Sequence, residues 1–72
     1  MKIDYMWSST LTEPEKKSIR EQVEGSLEAG YLRMLKMENV CVFITSDAKD
    51  QTFEAKFTWG EGERTVRGKI KP

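Results

Sequence analysis

Lys56, Arg67 and Lys69 fall at alternating positions in two short runs near the C-terminal end. Cys41 and Phe43 alternate in the same way inside the run Val40-Cys41-Val42-Phe43-Ile44-Thr45. In an extended strand, alternate residues share a face. Basic residues interleaved with an aromatic are what nucleic-acid-binding sheets use, the cations for phosphate and the ring for a base. The same cations also alternate with Asp4, Glu54 and Glu63, which would make an ordinary solvated exterior. Lys16, Lys17 and Arg20 form a second basic group. There, pairing one helical turn apart, Lys17 with Glu21 and Arg20 with Glu24, accounts for the charges.

Catalytic chemistry is poorly supplied. The chain has no histidine, so the commonest general base and metal ligand is missing. Cys41 is the one thiol, set between two valines, where a free cysteine is expected to pack as a small hydrophobe. The twelve carboxylates are spread over turns and a helix face, with no inward pair. Asp47 and Asp50 have neither the spacing of a calcium loop nor that of a metal cluster, and read as turn residues. Ser8-Ser9-Thr10 has no basic partner. Gly60-Glu61-Gly62 carries an acid where a phosphate would sit and does not lead into a helix. The expectation is a protein that is not an enzyme, with no cofactor, no metal and no small-molecule substrate.

Charge narrows the partners. Twelve basic residues balance twelve acidic ones, six of each sign in residues 1–36 and six of each in 37–72. Proteins that hold nucleic acid by counterion release carry a basic excess, so an RNA role would rest on a local patch. Arg64 to Pro72, with four cations and no acid, is the one asymmetric stretch. A single cysteine suits a reducing compartment. Met1 to Tyr5 lacks the apolar region of a signal peptide, and no apolar run approaches membrane-spanning length, so a cytoplasmic protein without a membrane contact is expected.

The elements that position these residues can be read in turn. Lys2 to Trp7 alternates, with Ile3, Tyr5 and Trp7 on one side and Met6 on the other. Thr12-Glu13-Pro14-Glu15 is a helix start: a capping box, with proline in the first turn and acids at the positive end of the dipole. Ile19, Val23 and Leu27 recur every four residues and predict one long amphipathic helix. Gly25 weakens it and Gly30 either ends it or allows close approach to the sheet. Tyr31, Met34 and Leu35 continue the spacing to Lys36, a last-turn cation. Tyr31, Met34 and Met37 either finish a core or form an adaptable contact surface.

Val40 to Thr45 is a central strand, with Val40, Val42 and Ile44 on one face and Cys41 and Phe43 on the other. Ser46 to Gln51 is a hairpin connection. Thr52 to Trp59 alternates around Phe53, Ala55, Phe57 and Trp59, Gly60-Glu61-Gly62 turns the chain, and Glu63 to Ile70 turns Val66 and Ile70 inward.

Residues 1–72 therefore read as a single domain of the α+β class, in the order β-α-β-β-β. One long helix packs on one face of a four-stranded mixed sheet. The first and central strands lie parallel across the helix and the last three form an antiparallel meander. Ile19, Val23 and Leu27 cover one face. Met6, Cys41, Phe43, Lys56, Arg67 and Lys69 are left on the other.

This order of elements resembles the ribosome hibernation-promoting factors, also called ribosome-associated inhibitors. The resemblance is carried by Met1-Lys2-Ile3, Leu11-Thr12 at the helix entry, Val40-Cys41-Val42, and Phe53-Glu54-Ala55-Lys56-Phe57 followed by glycines at 60 and 62. It covers nearly the whole chain. That family continues into a second helix packed beside the first, whereas this sequence reaches Pro72 before one. The family is basic where it meets ribosomal RNA, and this chain is neutral. The resemblance implies a ribosome- or RNA-associated factor. The residues themselves favour a non-catalytic binding protein, an inhibitor or regulatory module, that acts on a protein partner or pairs with a second copy. The expected partner-binding residues are Met6, Phe43, Lys56, Arg67 and Lys69.

Overall fold

A computed structural model describes residues 2–8, 10–60 and 62–70. Met1, Ser9, Glu61, Lys71 and Pro72, which entered the expectations above, lie outside the described residues. The fold is α+β, with strands β1 (Lys2–Trp7), β2 (Asn39–Asp47), β3 (Thr52–Trp59) and β4 (Gly62–Lys69), and helices α1 (Glu13–Glu24) and α2 (Leu27–Met34) between β1 and β2. The sheet order is β1-β2-β3-β4. β1 runs parallel to β2, and β2-β3-β4 is an antiparallel meander, as the pattern predicts. β2 extends two residues beyond Thr45 because Ser46 and Asp47 find partners in Phe53 and Thr52. Its hairpin is closed by Asp47, whose Oδ1 accepts from the N–H groups of Lys49 and Asp50.

The helix begins where the sequence says it should. Thr12 Oγ1 accepts from Glu15 N–H at 3.3 Å, and Thr12 N–H donates to Glu15 Oε1 at 2.9 Å. The Thr12 backbone N–H, followed by its hydroxyl, holds the Glu15 carboxyl below the usual glutamate range. A carboxylate whose folded pKa is depressed stabilises above its unfolded pKa and loses that contribution as pH falls through the folded value. The difference in melting temperature between wild type and Glu15→Gln is therefore expected to be full at neutral pH. It should close as pH drops below about 4.3, the ordinary glutamate value. A gap that stays constant down to strong acid would show that the charged cap contributes nothing.

The single long helix is not what forms. Two helices form, broken at Gly25-Ser26. Gly25 closes α1 with its N–H on Glu21 O, and Ser26 opens α2, its Oγ accepting from Ala29 N–H at 3.2 Å and donating to Val23 O at 2.7 Å. A serine that offers both a donor and an acceptor to nearby backbone competes with helix continuation. The break turns α2 so that Ala29 and Leu32 enter the core, while Leu27, expected beside Ile19 and Val23, is 90% exposed. Gly30 lies inside α2, with nothing near its missing Cβ, so it neither ends the helix nor permits a close approach. α2 ends at Met34. Lys36 N–H bonds Arg33 O and Met37 N–H bonds Leu32 O, the paired bonds of a left-handed helix stop. Lys36, expected as a last-turn cation, instead sits past the helix at φ 57°.

One sheet face carries the core. Val40, Val42, Ile44, Phe53, Ala55, Phe57 and Ile70 meet Ile19, Val23, Ala29 and Leu32. Ile3, Tyr5, Trp7, Met37 and Val66 pack around them. Tyr5 and Trp7 stack at 5.6 Å, and Tyr5 OH donates to Glu24 Oε2; burial, then this carboxylate, pushes the phenol up.

Gly68 is required by space. A Cβ there would lie 2.8 Å from the Phe53 ring and 2.8 Å from Gln22 Oε1. The ring is almost fully buried and cannot step aside freely. Gly68→Ala is expected to lose about 1–3 kcal/mol by overpacking, read as a lower urea midpoint with an unchanged slope. No loss would mean that the ring is not held where it is described.

Candidate functional site

The sheet face away from the helices has no element over it among the described residues. Register fixes what lies there. One row crosses the strands as Met6, Phe43, Lys56 and Thr65; the next as Asp4, Cys41, Thr58 and Glu63. On the other side the rows are Thr45, Glu54 and Arg67, then Asp47, Thr52 and Lys69. All five expected partner-binding residues share this face. Met6, Phe43 and Lys56 are direct cross-strand neighbours, Arg67 is one row away, and Lys69 stands farther off near the hairpin end.

Met6 and Phe43 are 53% and 43% exposed, large for apolar side chains held on a rigid sheet. Cys41 beside them is exposed, not packed as a small hydrophobe as expected, because even-numbered positions of β2 take the core side. The cations do not form an open basic patch. Lys56 Nζ lies 3.7 Å from Glu63 Oε2, and Arg67 Nε donates to Glu54 Oε2 at 2.9 Å. Lys2, Lys56, Arg67 and Lys69 are balanced on this face by Asp4, Asp47, Glu54 and Glu63. A shallow, wide depression of about 550 Å³ surrounds the Arg67–Glu54 pair between Thr45, Thr52 and Gly68. Of its three charged groups, Arg67 and Glu54 hold each other, and Asp47 accepts from the backbone N–H groups of its own turn.

On α1 the ion pair among the described residues is Lys16–Glu13 at 3.9 Å, not the Lys17–Glu21 and Arg20–Glu24 pairs expected. Lys16 also lies over the Trp7 ring at 5.7 Å. Among the described residues no three carboxylate or thiol groups converge on a metal-sized position, and no helix is long and apolar enough to cross a membrane.

A second exposed apolar surface takes in Tyr31 and Met34 of the contact surface that the sequence offered as one alternative, and adds Leu27 and Leu35, which were expected to continue the buried helix face. Leu27, Tyr31 and Met34 on the outer side of α2, and Leu35 capping its C-terminal end, are exposed by 90%, 37%, 69% and 42%. Their spacing is that of one helical stripe. Arg64 of β4 sits over the Tyr31 ring at 5.1 Å, which places the stripe beside the β4 edge. Met37, by contrast, is half-buried against the core. The signal was Gly25-Ser26 followed three residues later by Ala29: a helix stop and a new cap, which reset the phase of everything after it.

Compared with known proteins, the chain matches no family model, no curated protein and no solved structure, so these comparisons neither support nor oppose the resemblance to the ribosome hibernation-promoting factors.

Proposed function

We propose that this protein is a non-catalytic interaction module that docks a protein partner, as an inhibitor or regulator, on the open sheet face centred on Met6 and Phe43. The observation that carries the reading is the make-up of that face. Two large apolar side chains sit side by side in register, ringed by charges that cancel. An apolar centre with a mixed polar rim is how protein interfaces are built. The occupant it suits is a protein surface with an apolar projection and charges of both signs. An RNA strand would need cations free to replace counterions, and Lys56 and Arg67 are already held by carboxylates.

The test is capture from native lysate by wild type, Phe43→Asp, and a triple charge reversal at Lys56, Arg67 and Lys69. The expected result is a partner that resists nuclease, stays bound between roughly 50 and 200 mM salt, and is lost with Phe43→Asp. Phe43→Asp itself should keep the fold at a cost of about 1–2 kcal/mol, from strand propensity and the lost cross-strand contacts with Met6 and Lys56, since the side chain faces away from the core. Capture abolished by nuclease, or by the charge reversal but not by Phe43→Asp, would replace this reading with the RNA-associated one.

A further inference from the structure

We propose that two copies of this chain join through their β4 edges, about a two-fold axis at Thr65, into one continuous eight-stranded sheet. This does not depend on what the open face binds.

The β4 edge has a definite set of free backbone groups. Ile70 N–H donates to Gln51 O at 2.7 Å. The alternation of an antiparallel ladder then turns Gly62, Arg64, Val66 and Gly68 toward β3 as well. Glu63, Thr65, Arg67 and Lys69 therefore point their N–H and C=O groups outward. Gln22 Nε2 takes the Lys69 carbonyl at 2.8 Å, which leaves Glu63, Thr65 and Arg67 as the free edge among the described residues.

That edge is self-complementary in one register. Centred on Thr65, antiparallel pairing uses the outward groups of these three residues. It also sets Glu63 against Arg67 of the second copy, and Arg67 against Glu63 of the second copy. Lys56, Glu63, and then Arg67 and Glu54 of the second copy would alternate in sign, extending the ion pairs each copy already makes. The register centred on Val66 would need the Lys69 carbonyl that Gln22 holds. At the opposite edge, the longest two-fold registers of β1 set Asp4 against Asp4 or against Met6 of the second copy, and neither makes an ion pair. Charges on an edge strand normally deter pairing. At β4 they deter other strands and match a second copy of this one.

A strand edge alone buries too little for a stable interface. The α2 stripe supplies apolar area in the right place. Tyr31 lies over Arg64 of β4, and Leu27, Met34 and Leu35 share its side of the helix. The two-fold that joins the edges brings the two α2 helices together on the same side of the sheet. It explains the exposure of the stripe without a further partner. It also leaves both Met6–Phe43 patches on the opposite side, as one two-site platform.

The test is sedimentation of the full chain over a concentration series. Wild type is expected to reach twice its 8.4 kDa mass. Thr65→Pro removes an outward N–H at the two-fold and leaves the chain's own sheet bonds intact. Glu63→Arg and Arg67→Glu each place like charges opposite one another. Each of these three variants is expected to weaken association about 100-fold or more while keeping wild-type far-UV dichroism. An equimolar mixture of the Glu63→Arg and Arg67→Glu proteins is expected to restore the dimer, because only that pairing brings opposite charges together. A wild type that stays at 8.4 kDa up to about 1 mM overturns the proposal. So does a dimer that survives Thr65→Pro, or one that Phe43→Asp alone dissolves, since either uses another surface.

Discussion

Phe57→Ala is expected to remove most of the stability of this domain. Phe57 is the largest fully buried side chain among the described residues. It stands on β3 opposite Val42 of β2 and Arg64 of β4, and its side chain belongs to the core cluster that Ile19, Val23, Ala29 and Leu32 of the helices complete. Truncating a buried phenylalanine costs about 3–5 kcal/mol, the lost transfer free energy plus the cavity left behind. A 72-residue domain has a total of roughly 4–11 kcal/mol to lose. The variant should therefore melt tens of degrees lower or be unfolded outright, because one kcal/mol shifts the melting point of so small a domain by about 4–8 °C. Urea unfolding followed by far-UV dichroism measures it. A loss under about 1 kcal/mol would mean that the core is centred elsewhere. Phe43→Ala on the same sheet is the control, expected to cost only about 1–2 kcal/mol, from strand propensity and its cross-strand contacts with Met6 and Lys56.

The contrast between these two phenylalanines was legible in the sequence. Strand alternation depends only on local backbone geometry, so the parity of Val40, Val42 and Ile44 against Cys41 and Phe43 told the two faces apart. The alternating Phe53-Ala55-Phe57-Trp59 set did the same for β3. Five expected partner-binding residues consequently fell on one face. What that face does with its charges was not legible. Whether Lys56 meets Glu63, and Arg67 meets Glu54, depends on the cross-strand register, which the hairpin lengths and turn geometry set. Composition showed a neutral chain; only register shows that the neutrality is local. The free edge of β4 is hidden in the same way, since which residues point outward follows from one bond, Ile70 N–H to Gln51 O.

The helical layer separates the two readings most sharply, and a pair of alanine variants decides between them. Ile19, Val23 and Leu27 keep a period of four, and a continuous helix would bury all three. The break at Gly25-Ser26 resets that period, so that Leu32 is fully buried and Leu27 is 90% exposed. Leu32→Ala is expected to cost about 2–5 kcal/mol, the range for a leucine cavity. Leu27→Ala is expected to stay within about 0.5 kcal/mol of wild type in a dilute sample where the chain is monomeric. In a concentrated sample, joining through β4 would cover Leu27, and its truncation should then lower the melting temperature of the dimer. Melting both variants at both concentrations separates the contributions, since a core cavity is felt equally in each and a contact between copies only in one. If Leu27→Ala proves the costlier change in dilute solution, the helix runs unbroken through Ser26 and the outer stripe of α2 does not exist.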